Sequence, residues 1–165
     1  AGGGPQDTKS YALVSNFIRI VDKLLIDYSN VYKHMTELAK KRNTFMWSII
    51  SATSHCESLI SSMVRAIRLG RRIRKDRNSP PMAKGIEVLS DPVWNRVNAF
   101  RKAIEHIDEI IAQNKWSAGD PVCLLLKSDR AELRGEQILY SELAGWVKQL
   151  YDLASGLSTY REPPR

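Results

Sequence analysis

Two long stretches of this sequence carry apolar residues in steps of three and four, and no other feature limits the fold as much. From Val14 the steps run through Phe17, Val21, Leu24, Tyr28, Val31, Met35 and Leu38. From Met46 they run through Ile49, Ile50, Thr53, Cys56, Ile60, Met63, Val64 and Ile67. Such spacing gathers the apolar side chains into a seam on one face of an α-helix. The first helix is expected over about Thr8 to Lys40. The KKRN at 40–43 closes it, because cations suit a helix C-terminus, and Asn43 can cap the next helix. The alternative is that KKRN simply continues the helix. A short junction makes the pair antiparallel. The second helix is expected to run on into a basic stretch, with Gly70 as its weak point. It stops at Asn78-Ser79-Pro80-Pro81, where neither proline has an N–H to donate.

Met82 to Leu89 reads as a connection. A third helix then opens at Asp91, expected as the N-cap, with Pro92 at the first helical position. Its seam is Val93, Val97, Phe100, Ile104, Ile107 and Ile111, so one helix is expected from Asp91 to Ile111. Asn114 to Gly119 breaks the pattern. Val122 to Leu126 and Gly135 to Leu139 read as a small β-hairpin around a turn at Lys127 to Arg130. The fourth helix is expected over Ser141 to Leu157, with Leu143, Trp146, Val147, Leu150, Leu153 and Leu157 on its apolar side. The expected fold is all-α: an up-and-down four-helix bundle with two long N-terminal helices and a small hairpin between helices 3 and 4. It forms a single domain over 8–158, with tails at 1–7 and 159–165.

The 165 residues are enough to bury one core, and 43% hydrophobic with 26% charged residues is ordinary for a soluble globular chain. No apolar run approaches the ~18 residues that cross a bilayer. The opening AGGGPQD has neither the basic start nor the apolar core of a signal peptide and is expected to be a tail. Cys56 and Cys123 match no metal-binding spacing, and two free thiols in a reducing cytoplasm are expected. The net charge is +7. Arg65, Arg68, Arg71, Arg72, Arg74, Lys75 and Arg77 stand against the single acid Asp76, so most of the excess sits in thirteen residues. Such a field attracts polyanions through phosphate contacts and counterion release. It is equally the pattern of a solvated helix end. No aromatic lies within the cluster, so it is not expected to stack single-stranded bases.

Most enzymatic signatures are missing. Gly2 to Gly4 precede no strand–helix unit, and His34, His55 and His106 form no Glu-x-x-His pairs of a di-metal bundle site. No metal or other cofactor is expected. His34 reads as a surface histidine, His55 as a flank and Cys56 as packing. The remaining candidate is Arg101, four residues, then His106, with Lys102, Glu105, Asp108 and Glu109 as company. At about 100° per residue, with Arg101 at zero, the seam centres near ~280° and His106 falls near ~140°. The histidine therefore points away from the core. It is useful for catalysis only if another surface, most economically a second copy of the chain, covers it. The plainer reading is a charged solvent face with Arg101 paired to Glu105.

The phrase R-K-A-I-E-H-I-D-E on the third helix of a four-helix bundle, shortly before a closing helix E-Q-I-L-Y-S-E-L-A-G-W-V-K-Q-L, resembles the HEPN superfamily. The motif there is an arginine, four to six residues, then a histidine. The closing helix is similar to that of prokaryotic members related to abortive-infection proteins. The resemblance implies a homodimeric, metal-independent ribonuclease of a toxin–antitoxin or antiviral defence system, with a cognate antitoxin or other protein partner. Arg101 would then stabilise the scissile phosphate, and His106 would move protons at the 2′-hydroxyl or leaving oxygen. Lys102 departs from the family pattern, which usually has asparagine, aspartate or histidine after the arginine. A lysine either binds phosphate itself or marks a copy that kept the fold and lost catalysis. The alternative function is a non-catalytic bundle that binds a protein partner, such as a helical peptide, or coats nucleic acid.

Overall fold

The computed structural model of the protein describes residues 7–40 and 46–160. Five helices and a three-stranded sheet follow one another: α1 Thr8–Lys40, α2 Met46–Lys75, α3 Asp91–Glu105, α4 Ile107–Ala112, β1 Leu125–Leu126, β2 Arg130–Leu133, β3 Glu136–Leu139 and α5 Tyr140–Thr159. The expected KKRN junction and the Asn43 cap lie largely outside the described residues. The two long helices stand where the seams place them, and α2 runs through Gly70 without a break.

α1 and α2 are antiparallel along their whole paired length. Asn78 donates to Asp7, Ser10 to Asp76 and Ser58 to Asp27, and His34 stacks on His55, so each step forward on α1 is a step back on α2. Phe17 and Gly70 meet about two turns in from the Ser10–Asp76 end: a Cβ at Gly70 would lie 3.4 Å from Phe17 Cε2 and 2.9 Å from Leu89 Cδ2. Gly70 is thus no weak point but the place where two large side chains close on the helix backbone. Leu89 belongs to a 3-10 turn, Glu87–Leu89, inside what the sequence presents as a mere connection. Val88 and Leu89 are fully buried there.

α3 returns antiparallel to α2, with Asp91 against Arg71, Trp94 beside Arg68 and Arg71, and Asp108 near Glu57. α5 then runs antiparallel to α3. Arg96 holds Glu142 through two hydrogen bonds of 2.6 and 2.9 Å and lies 5.4 Å from the Trp146 ring centroid. Seven residues further along α5, Gln149 Oε1 accepts from the Val88 N–H at 2.9 Å. The up-and-down order of a bundle therefore holds. One core contains Phe17, Leu24, Leu59, Ile60, Met63, Phe100, Leu124, Leu133, Leu150 and their neighbours.

Four local expectations change. Ser90, not Asp91, caps α3: Ser90 is extended and its Oγ accepts from the Val93 N–H, which frees Asp91 to meet Arg71. The helix expected to reach Ile111 is interrupted at His106 (φ −89°, ψ −1°), and Ile111 is 46% exposed because the bundle core ends before it. The hairpin is a three-stranded antiparallel meander in the order β1-β2-β3. Arg134 and Gly135 both have positive φ (49° and 86°), the backbone of a tight hairpin turn, so Gly135 starts no strand. Ala131 and Leu133 face the core from β2 while Arg130 and Glu132 stay partly exposed. The fourth change is at the start of α2. Met46, Ile49 and Ile50 belong to its seam by spacing, yet are 75%, 45% and 47% exposed.

A network of polar groups crosses the interface between α1 and α2 at Asp27. The buried Asp27 accepts from Lys23 Nζ (2.5 Å) and Ser58 Oγ (2.8 Å), and His55 Nδ1 lies 3.4 Å from its other oxygen. Burial pushes the Asp27 carboxyl up. The hydrogen bonds from Lys23, Ser58 and His55, with the Lys23 charge, outweigh it and hold the group below the usual carboxylate range. Asp27→Ala would remove the carboxylate that joins Lys23, Ser58 and His55, leaving Lys23 and Ser58 only each other, and should cost about 1–2 kcal/mol in urea unfolding. A carboxyl depressed in the folded state contributes stability above its unfolded pKa, about 3.9, and loses it as pH falls through the folded value. Asp76, Glu132 and Glu142 are also held low. Asp27→Asn should therefore make the acid limb of the stability curve shallower below about pH 4, without abolishing it.

Candidate nucleic-acid interface

The basic stretch occupies the last turns of α2, where the helical repeat sorts its members. Arg65, Arg68, Arg72 and Lys75 share one exposed face within about 80° of arc. Arg71 lies to one side of them, partly buried and in contact with Asp91. Arg74 points to the far side of the last turn, and Arg77 lies beyond the helix. The acid of the stretch does not neutralise this face. Asp76 accepts from Ser10 and, at 2.6 Å, from Ser79, so its carboxylate is turned toward α1; the Ser10 hydrogen bond is the main reason its pKa is low.

Although no aromatic occurs within the stretch, the fold brings one to it. Trp94 on α3 lies beneath two guanidinium groups, Arg68 Cζ at 5.8 Å and Arg71 Cζ at 5.7 Å from its ring centroid. Cation–π contacts of this kind hold arginine side chains in place over the ring. The signal was present in the sequence as one turn of α3 running antiparallel to α2. It could be used only once the packing of the two helices was known.

The antiparallel register carries the same edge onward. Asp91 meets Arg71 and Trp94 meets Arg68, so Asn98 follows at about the level of Arg65 and Arg101 one turn beyond. Arg101 is partly buried, with Nη2 2.8 Å from Glu105 Oε2. Its Nε is shielded from solvent and has no hydrogen-bond partner. Lys102 is exposed and pairs with no other described residue. The plainer expectation for Arg101, a pair with Glu105 on its own helix, is what the structure contains.

His106 is the residue at which α3 ends and α4 begins. Its backbone still bonds as in a helix, N–H to Lys102 and C=O from Ile110, each 3.0 Å. Its side chain is about half exposed, and Nδ1 lies 2.6 Å from Glu109 Oε2. A carboxylate on Nδ1 fixes the ring and leaves Nε2 turned to solvent. Asp108 takes no part. It faces α2, where its charge and, more strongly, burial raise the Glu57 carboxyl against a lowering hydrogen bond from the Leu124 N–H. The six expected residues thus divide into an Arg101–Glu105 pair, a His106–Glu109 pair, a free Lys102 and an Asp108 that belongs elsewhere.

Arg101 and His106 diverge by about 140° around the helix, so one chain does not focus them on a single atom. An open concavity lies at the meander, beside Leu125, Glu132, Arg134 and Gln137, and none of the candidate residues borders it. Cys56 is buried, and burial together with Glu57 pushes its thiol up to about 12, so it packs rather than reacts. His34 departs from its expected surface role: its ring stacks on His55 at 5.9 Å between centroids. Among the described residues no group of three or more His, Cys, Asp or Glu could hold a metal ion, and no helix is long and apolar enough to cross a membrane. No protein-family model matches the chain, and neither a curated protein nor a solved structure matches it.

Exposure decides what substitutions here do to the fold. His106→Ala and Lys102→Ala should change unfolding free energy by less than about 0.5 kcal/mol. Trp94→Ala removes packing and both arginine contacts and should cost about 1–2 kcal/mol, read from urea melts.

Proposed function

We propose that this protein engages RNA along the α2–α3 edge, with Arg65, Arg68 and Arg72 as phosphate contacts and Arg101 and Lys102 extending the track. The observation that carries the reading is the alignment of these cations beside α3 with Asp76 turned away to Ser10. Arginines preset over Trp94 lose less rotamer freedom on meeting a phosphate than free ones would. Arg101 adds a second argument. Its unpartnered Nε means that Glu105 satisfies the guanidinium incompletely, and a phosphate that drew it outward would meet that donor.

A second reading, cleavage of the bound RNA, is favoured by the His106–Glu109 pair. A ring anchored at Nδ1 keeps its other nitrogen free to act as a general base once a second surface covers it. It agrees with the resemblance to the HEPN superfamily, in which Arg101 would hold the phosphate and His106 the proton. Because the two side chains diverge, this reading requires a second copy of the chain to bring one protomer's His106 near the other's Arg101. With Lys102 in the position that usually carries an acceptor, binding without turnover is the form the function takes if no second copy closes the face.

Fluorescence anisotropy with a labelled single-stranded RNA at rising salt tests the binding reading. Each phosphate contact contributes a slope of about −0.7 in log affinity against log salt. Arg65→Glu, Arg68→Glu and Arg72→Glu combined should flatten that slope by roughly two units. Unchanged affinity and slope would end the proposal. Incubation of the same RNA in chelator then separates the readings: cleavage lost in Arg101→Ala and His106→Ala supports catalysis, and intact RNA in wild type leaves a binder.

A further inference from the structure

The other end of α2 is a different kind of surface. Met46 and Trp47 are 75% and 76% exposed, and Ile49 and Ile50 nearly half exposed, before Ala52 becomes the first fully buried residue. Tyr32, opposite them on α1, is 67% exposed. α5 begins at Tyr140, near Cys56, and Leu124 lies near Glu57, both further along α2 than these turns. The apolar seam of α2 continues back to Met46 and Trp47, which stay exposed.

The charge around this tip is mainly positive, with Glu37 the one acid on the last turns of α1. Between Glu37 and Glu57 the sequence contains no acidic residue, and Lys40, Lys41 and Arg42 stand a few residues before Met46 and Trp47 in the sequence. Lys33 and Lys40 are exposed on the last turns of α1. An end that exposes aromatic and aliphatic side chains beside a collar containing Lys33 and Lys40 matches a surface that is apolar inside and anionic at its rim. A lipid bilayer with acidic headgroups has that layout, with tryptophan favoured at headgroup depth and lysine and arginine beside the phosphates.

We propose that the tip formed by the C-terminal end of α1 and the N-terminal end of α2 docks on anionic lipid surfaces. Met46, Trp47, Ile49 and Ile50 enter the interface and Lys40 contributes to the collar. The contact is peripheral, since no described helix can span a bilayer. It is independent of the RNA reading, because the cations proposed to hold RNA begin about five turns further along α2, at Arg65.

Co-flotation of the full chain with vesicles tests this, comparing phosphatidylcholine alone with phosphatidylcholine and phosphatidylserine in equal parts. Wild type should partition at least about tenfold more onto the anionic vesicles. The combined change Trp47→Asp and Ile50→Asp, at exposed positions that leave the core intact, should abolish that gain. Arg65→Glu, Arg68→Glu and Arg72→Glu combined should keep most of it. Circular dichroism checks that both variants fold. Binding that survives the tip substitutions and disappears with the arginine substitutions overturns the proposal, because the basic face would then account for it. No vesicle binding overturns it too. If sedimentation then shows a dimer that the tip substitutions dissociate, the occupant is a second copy of the chain.

Discussion

The interface between α1 and α2 supports everything else in this molecule. Thirty-odd residues on each side are held in one antiparallel register by contacts of different chemistry: serine and asparagine on aspartate at one end, Phe17 on Gly70 about two turns in, and the Asp27 network beyond. Apolar seams alone tolerate sliding by a turn, since a seam that repeats every three or four residues looks much the same after such a shift. A buried carboxylate with two of its three partners, Ser58 and His55, on the other helix does not tolerate it, because a slip would take those two away. α3, α5 and the meander then pack on a pair whose register is already set. This is why Asp91 finds Arg71 and Trp94 finds Arg68.

The sequence announces the long helices because their periodicity is sustained over seven or more apolar positions each, and no local preference competes with it. Three kinds of feature escape that signal. Short ones carry too few residues to show a period: the turn at Glu87–Leu89 and the two-residue β1. Breaks inside a good pattern also escape, as at His106, where the apolar spacing runs on through a residue whose backbone has left the ideal helix. A seam, finally, marks what is able to be buried, not what is. Met46, Ile49 and Ile50 fit the pattern but stay largely uncovered by the rest of the fold.

The candidate residues were named by the sequence but not their relations. Helical arithmetic places Arg101 and His106 on different sides of one helix, and the structure adds the carboxylate that holds each of them. It could not place Trp94 among the arginines of α2 or turn Asp76 toward Ser10, because both depend on neighbours far away in the chain. The same holds for Asp27 and His55: separated by 28 positions, they are recognisable as a pair only once the two helices are aligned.

Because α2 passes through Gly70 and on to Lys75 as one uninterrupted rod, its two ends behave as points on a rigid spacer. Trp47 and Arg68 are separated by about 30 Å along the axis, with no hinge between them. That distance is several Debye lengths at physiological ionic strength, about 8 Å each. The field of one end is therefore screened before it reaches the other. Whatever occupies either end is kept at a fixed stand-off from the other by the backbone hydrogen bonds of a single helix.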